Sequence, residues 1–267
     1  MAIDYNRTFI TLPHGLPRVE CLHFDTIHST MQAIDDLPWH TAKHAPRVAV
    51  AEYQTAGRGQ QGTFWESAHG ENLLFTLSIS PQRVAATAQY ALSIISALAA
   101  WACCAPLINQ EALTMKWPND LYYHDSKLAG TLIQHTLSGQ YLCTTHVGVG
   151  LNVNQTHFES NAPNPISLRN ITTHMHDKSA LLQSYLTVFL THLAQLEAHA
   201  DYADTLWDSY HTHLYRRQGL HTYMAHGEVF LAEIIHIDRL GRLHLRHTNG
   251  TQHAYTFKEI TAVLPSH

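Results

Sequence analysis

The chain has 267 residues, 45% hydrophobic and 14% charged, with 16 Lys and Arg against 21 Asp and Glu and a formal charge of −5. This composition excludes a disordered chain and predicts a buried core in one large domain, or in a large domain and a small one. It argues against a nucleic-acid protein held by a basic face, because phosphate affinity needs clustered Lys and Arg.

The first residues, "MAIDYNRTFITLPHGLP", lack an apolar core segment, so no secretory signal is expected. Val19–Phe24 reads as a strand. Ser29–Leu37, "STMQAIDDL", reads as a short helix with Ser29 or Thr30 as N-cap. "RVAVAEYQT" is a strand that runs into a glycine loop, and Asn72–Ser80 is the next strand. Val84–Ile108 carries no charge over a length that could span a membrane. Its Ala-rich composition, with Gln89, Ser93 and Ser96 spaced along one side, predicts instead a helix buried against a sheet and ending before Pro106. No membrane association is expected.

Leu113–Tyr123 and Lys127–Leu137 read as strands joined at "HDS", and Tyr141–Asn154 as another after a Ser-Gly turn. Strands from 48 to 154 with only one long helix among them indicate an α+β fold with antiparallel hairpins, not a βαβ series. Asp177 to about His213 is helical. After Gly219 short strands separated by "RLG" and "NG" turns suggest a small SH3-like barrel, dividing the chain into domains at 1–218 and 219–267. The four cysteines, Cys21, Cys103, Cys104 and Cys143, have no C-x-x-C spacing and read as reduced, buried thiols in a reducing, cytoplasmic compartment. The 23 histidines lack cysteine partners and are scattered, which reads as surface composition and not as a metal site.

"AEYQTAGRGQQGTFW" places Gly57, Gly59 and Gly62 at G-x-G-x-x-G spacing. A dinucleotide fingerprint must follow a strand and open a helix. Here the loop follows a strand but runs on into another, and no Gly-Lys-Ser/Thr follows as in a P-loop. Its glycines still let backbone N–H groups approach an anion, and Arg58 adds a positive fork. "MKWPNDLYYHDSKLAGTLIQ" gathers Lys116, Asn119, Asp120 and Lys127 around a hairpin, in a chain poor in lysine. Pro118 cannot donate to a ladder, so Trp117–Asn119 marks a bulge or break. Gly130 allows close approach of a ligand, and "GVGLN" sets Asn152 in an apolar run.

In this order, "ST", "Q-x-x-GRGxxG-x-x-W", "KWPND", "KLAG" and "GxGxN" resemble the biotin protein ligases, with the likeness running from about residue 19 to 264. The resemblance implies a mixed sheet flanked by helices, related to class II aminoacyl-tRNA synthetases, with a C-terminal SH3-like domain. It implies the type of ligase that lacks a DNA-binding domain, acting as monomer or homodimer. The implied reaction joins biotin to ATP, with Mg2+, as biotinyl-5′-AMP, then transfers biotin to a lysine of a biotin carboxyl carrier protein. Lys127, Arg58 and Lys116 would be the catalytic cations. Ser29, Thr30, Met31, Gln54, Gly57, Arg58, Gly59, Gln60, Lys127 and Gly130 would surround biotin. Arg58, Gln60, Gln61, Trp65, Lys116, Asn119, Asp120 and Asn152 would meet the nucleotide, Asp120 also acting indirectly on Mg2+. Gln60 and Gln61 stand where the family often has a basic residue, implying a weaker hold on the adenylate, and Met31 stands where Asn is frequent. A lipoate or octanoate ligase of the same fold, and a non-catalytic biotin-binding module, are the alternatives.

Overall fold

A computed structural model describes residues 4–36, 45–59, 64–159, 164–199 and 201–264. The main sheet has eight strands in the order β1-β2-β3-β4-β8-β7-β6-β5. They are β1 (Asn6–Ile10), β2 (Val19–Ile27), β3 (Arg47–Gln54), β4 (Leu73–Ile79), β5 (Leu113–Lys116), β6 (Asp120–Tyr123), β7 (Ser126–Ser138) and β8 (Tyr141–Leu151). The β2–β3 pair is parallel and the others antiparallel, so the fold is α+β.

Alternation along the strands sends side chains to two different layers. Val19, Cys21, Val48, Phe75 and Leu77 join the large core beneath helices α2 (Tyr90–Cys104) and α4 (Lys178–Ala198). Leu22, Phe24, Ala49 and Ala51 face the other way and pack on Ala33 and Ile34 of α1 (Thr30–Asp36). The uncharged stretch Ala86–Leu107 has the length and composition of a membrane span, but 72% of its apolar window is buried inside the protein. Its polar atoms are answered within the core: Ser96 Oγ lies 3.2 Å from Thr131 Oγ1 and 2.7 Å from the Tyr185 hydroxyl. Burial thus satisfies both the apolar surface and the hydroxyl, as the Ala-rich composition predicted.

The helical stretch after Asp177 is two helices, α4 and α5 (Tyr202–Thr212), and the Asp177 carboxylate caps α4 by accepting from Ser179 N and Ala180 N. Two short elements carried no periodic signal: β1, and α3 (Leu168–Thr172), which is held by a Ser167–Asn170 capping box. Of the cysteines, Cys21, Cys103 and Cys104 are buried, but Cys143 is exposed, against expectation, because it falls on the outward side of β8.

The tail forms a second antiparallel sheet, β12-β11-β10-β9-β13, from β9 (His221–Ala225), β10 (Glu228–Ile237), β11 (Leu243–His247), β12 (Gln252–Tyr255) and β13 (Ile260–Ala262). Its strand pairing leaves the sheet open, with β12 and β13 as edges, where a closed barrel was expected. It packs directly on the larger unit. Trp117 Nε1 donates to Gly241 O at 2.8 Å, Trp207 Nε1 donates to Ile237 O at 3.1 Å, and the Trp117 and Phe257 rings lie 6.1 Å apart.

Candidate active site

A cavity of about 710 Å3 opens on the α1 side of the main sheet, within the range of small-molecule sites. Its floor is made of glycine. Gly130 of β7 pairs with Gly150 of β8, and Gly148 lies two residues along the same face. A Cβ at Gly130 would sit 3.1 Å from the Trp65 ring and 3.1 Å from Lys127 Nζ, and one at Gly148 would sit 2.9 Å from Met31 Sδ. Side chains on this floor would fill the space over which the Trp65 indole and the Met31 thioether lie.

Lys127 reaches this floor through a defect in the ladder. The β6–β7 register runs Asp120 opposite Gly130 and Leu121 opposite Ala129, then shifts so that Tyr122 faces Lys127. The extra residue, Leu128, turns into the core beside Ala129; both are buried. A strand without the bulge would put Lys127, three residues from Gly130, on the opposite face. The bulge therefore lies at Leu128. Trp117–Asn119, read as a bulge or break, is a break: it is the turn of the β5–β6 hairpin, with a cis Trp117–Pro118 bond, and splits the expected strand 113–123 in two.

That hairpin places Lys116 directly opposite Asp120. Asp120 forms an ion pair with Lys127 at 2.8 Å, and Lys127 Nζ lies 5.5 Å from the Trp65 ring centroid. Lys116 Nζ lies 4.9 Å over the Tyr122 ring. Burial lowers the Lys116 pKa, Asp120 opposes that effect, and the charges of Lys127 and Arg216 add to it. The cavity is lined by Arg58, Lys116, Lys127, Arg216 and Lys258 against the carboxylates of Asp120 and Glu66, an excess of positive charge that suits a polyanion.

The expected site residues fall as follows. Ser29, Thr30, Met31, Gln54, Arg58, Gly59, Trp65, Lys116, Asn119, Asp120, Lys127, Gly130 and Asn152 all line this one cavity. Gly57 does not; it lies buried beneath Trp65, its carbonyl accepting from Trp65 N at 3.0 Å. Gln60 and Gln61, with Gly62, lie outside the described residues. Arg58 is exposed at the cavity mouth, bridged to Phe64 across the loop. Gln54 Oε1 accepts from Thr30 N at 2.8 Å and Thr30 Oγ1 at 3.1 Å, tying β3 to the start of α1.

Two asparagines are partly committed to the backbone. Asn119 Nδ2 donates to Thr131 O. Asn152 Nδ2 donates to Ile166 O at 3.1 Å and Lys127 O at 3.4 Å, while its Oδ1 is buried without a partner. Their Nδ2 groups thus shape the wall of the cavity, and Asn152 Oδ1 is buried there without a partner.

Sequence reasoning missed Tyr215, Arg216, Phe257 and Lys258, which also line the cavity. They come from the tail and the segment leading to it, and only the adjacent Arg216 and Arg217 before Gly219 could have marked them. The Tyr215 hydroxyl donates to Asp125. Burial first, then that bond, pushes Tyr215 up to about 12, so it stays a neutral donor. Among the described residues, no three His, Cys, Asp or Glu side chains gather as a metal site.

Residues 23–154 match the Biotin/lipoate A/B protein ligase family. Over 158 residues the chain is 32% identical to a biotin--[acetyl-CoA-carboxylase] ligase of Paracoccus denitrificans, covering 56% of this chain and 64% of that protein. It is 34% identical over 178 residues to the bifunctional ligase/repressor BirA of Salmonella typhimurium, covering 60% and 55% respectively. The chain thus spans between about half and two thirds of the length of these curated relatives. Among solved structures, the biotin protein ligase of Aquifex aeolicus in complex with biotin and ATP superposes with a TM-score of 0.73 at 18% identity, covering 92% of this chain and 99% of that one. At that identity the likeness is one of fold.

Proposed function

We propose that this chain, whose residues 23–154 match the biotin/lipoate A/B protein ligase family, is an ATP-dependent biotin protein ligase. The observation that carries the reading is the convergence of Lys116, Lys127 and Arg58 with the glycine floor in a single cavity. In the first step a biotin carboxylate oxygen attacks the α-phosphorus of ATP, and pyrophosphate leaves. Two anions must be held in line, so cations serve where a general base has nothing to do, the nucleophile being ionised already. Lys127, beside the floor, bridges the carboxylate and the α-phosphate; Lys116 meets the phosphates. Biotin lies toward Ser29, Thr30, Met31 and Gln54. The nucleotide lies along Trp65 and Asn152, and Arg58 closes the mouth against water, which would hydrolyse the mixed anhydride.

In the second step the amine of a carrier-domain lysine attacks the acyl carbon, forming the amide and releasing AMP. Mg2+ bound with ATP would neutralise phosphate charge; Asp120, paired to Lys127, would act on it only indirectly. The open C-terminal sheet serves as the SH3-like module, starting near residue 219, and the free thiols suit work in the cytoplasm.

The test is incubation of the purified chain with ATP, Mg2+, biotin and an apo carrier domain. Carrier labelling and biotin-dependent pyrophosphate release are expected, with lipoate a poor substitute for biotin. Absence of both signals, or preference for lipoate, overturns the reading.

A further inference from the structure

Arg216 is the one cation at the cavity that reaches it from the segment joining the two sheets. Its backbone is left-handed, with φ of 57°. The segment before it is stitched to β5, the strand that carries Lys116: Met115 N donates to His213 O at 2.8 Å and Tyr215 N to Met115 O at 2.9 Å. On its other side the guanidinium donates from Nη1 to Thr222 O at 3.1 Å and from Nη2 to Val263 O at 2.8 Å, gripping β9 and the end of the tail. Among the described residues no carboxylate forms a salt bridge with it. Two neutral carbonyls therefore orient the fork and leave its charge unspent, with donors still available.

The surroundings connect this charge to the cations already described. The guanidinium carbon lies 5.1 Å from the Tyr215 ring, Tyr215 lies 5.4 Å from Tyr122, and Lys116 Nζ lies 4.9 Å from Tyr122. Lys127 stands opposite Tyr122 in the ladder. Lys127, Lys116 and Arg216 thus form a series running from the glycine floor to the second sheet. A linear polyanion with its α-phosphate at Lys127 would find further cations along that series.

We infer that Arg216 is a third phosphate-binding cation, which holds the β- and γ-phosphates of ATP and the pyrophosphate they become, and that the C-terminal sheet sets its aim. The inference rests on the ligase reading and adds a residue to it. A left-handed, two-carbonyl clamp would be an uneconomical way to fix an arginine that merely covered Tyr215.

The experiment measures biotin-dependent ATP–pyrophosphate exchange for the full chain and for Arg216→Met, Arg216→Lys and Arg217→Met. Arg217 is exposed and does not line the cavity, so it controls for net charge. Arg216→Met is expected to raise KM for ATP and weaken inhibition by pyrophosphate about ten- to hundredfold, with KM for biotin within about twofold. Arg216→Lys falls between, because it keeps the charge and loses the fork. Arg217→Met stays near wild type. Equal behaviour of Arg216→Met and Arg217→Met, or a parallel rise in both KM values, reduces Arg216 to a structural clamp and overturns the inference.

Should Arg216→Met fail to fold, the wild-type chain answers directly. Phenylglyoxal labelling of Arg216, mapped by mass spectrometry, must slow several-fold with ATP or pyrophosphate and not with biotin. Unchanged labelling refutes the inference. A wild-type chain that shows no biotin-dependent exchange instead refutes the ligase reading, and the protection assay still reports on Arg216.

Discussion

Replacing Lys127 with alanine removes the charge nearest the glycine floor. Its Nζ lies 2.8 Å from Asp120 Oδ1 and 3.1 Å from where a Gly130 Cβ would stand, so a ligand on that floor is in contact range. A unit-charge pair at about 4 Å and an effective dielectric near 20 is worth about 4 kcal/mol, and losing one preorganised donor typically costs about 10²–10³ in rate. Lys116 stays behind and offsets part of the loss, so adenylate formation should fall by about 10²-fold or more. Stability should change little. The Lys127 and Asp120 side chains are 28% and 16% exposed, which lets solvent screen the pair, and Lys116 still faces Asp120; about 1 kcal/mol is the scale. The assay is single-turnover formation of biotinyl-AMP from ATP and biotin, with a thermal melt on the same preparation. A folded Lys127→Ala chain that forms adenylate within about threefold of wild type would refute the assigned geometry.

Gly150→Ala places a methyl 2.7 Å from Trp65 Nε1 and 2.8 Å from Cζ2, so the indole must leave the floor; ATP KM should rise at least about tenfold in exchange kinetics while the melt shifts little. Lys116→Met removes a desolvated charge whose pKa is lowered by burial and by Lys127 and Arg216. The free chain should melt at the same or a higher temperature while ATP binding weakens in calorimetry. For the wild type the sign follows from the same shift: free Lys116 deprotonates below the ordinary lysine range and bound phosphate restores its proton. ATP binding should therefore take up protons and weaken as pH rises through the alkaline range, seen as buffer-dependent binding heats. Asp238 is held at about 2 although burial acts to raise it, because His244, Arg242 and the Arg242 and Leu240 amides bond it. A carboxyl depressed in the folded state stabilises above its unfolded pKa and loses that contribution as pH falls toward 2. Asp238→Asn should therefore cost on the order of 2 kcal/mol in denaturant melts at neutral pH, and the gap should narrow as pH falls below about 4 and close toward pH 2.

Much of this protein is written locally in its chain. Strand alternation, the Ala-rich helix buried against the sheet, and lysines followed by a glycine around a hairpin all follow from residue type and spacing, because they depend on neighbours a few positions away. The residues quoted at 29–30, 54–65, 116–120, 127–130 and 152 likewise needed no structure to be picked out. Which face of the sheet Lys127 occupies was decided elsewhere. Counting by twos from Gly130 puts it in the core; only the register against β6, and the Leu128 bulge that register creates, returns it to the ligand side. Arg216 shows the same limit from farther away. Its partners at Thr222 and Val263 and its place beside Lys116 come from packing between two sheets, a relation that no periodicity encodes. Gly57 is the converse case, a motif residue that packing set beneath Trp65 and away from the cavity. Local chemistry determined which side chains could meet a polyanion; long-range pairing decided which of them share one cavity.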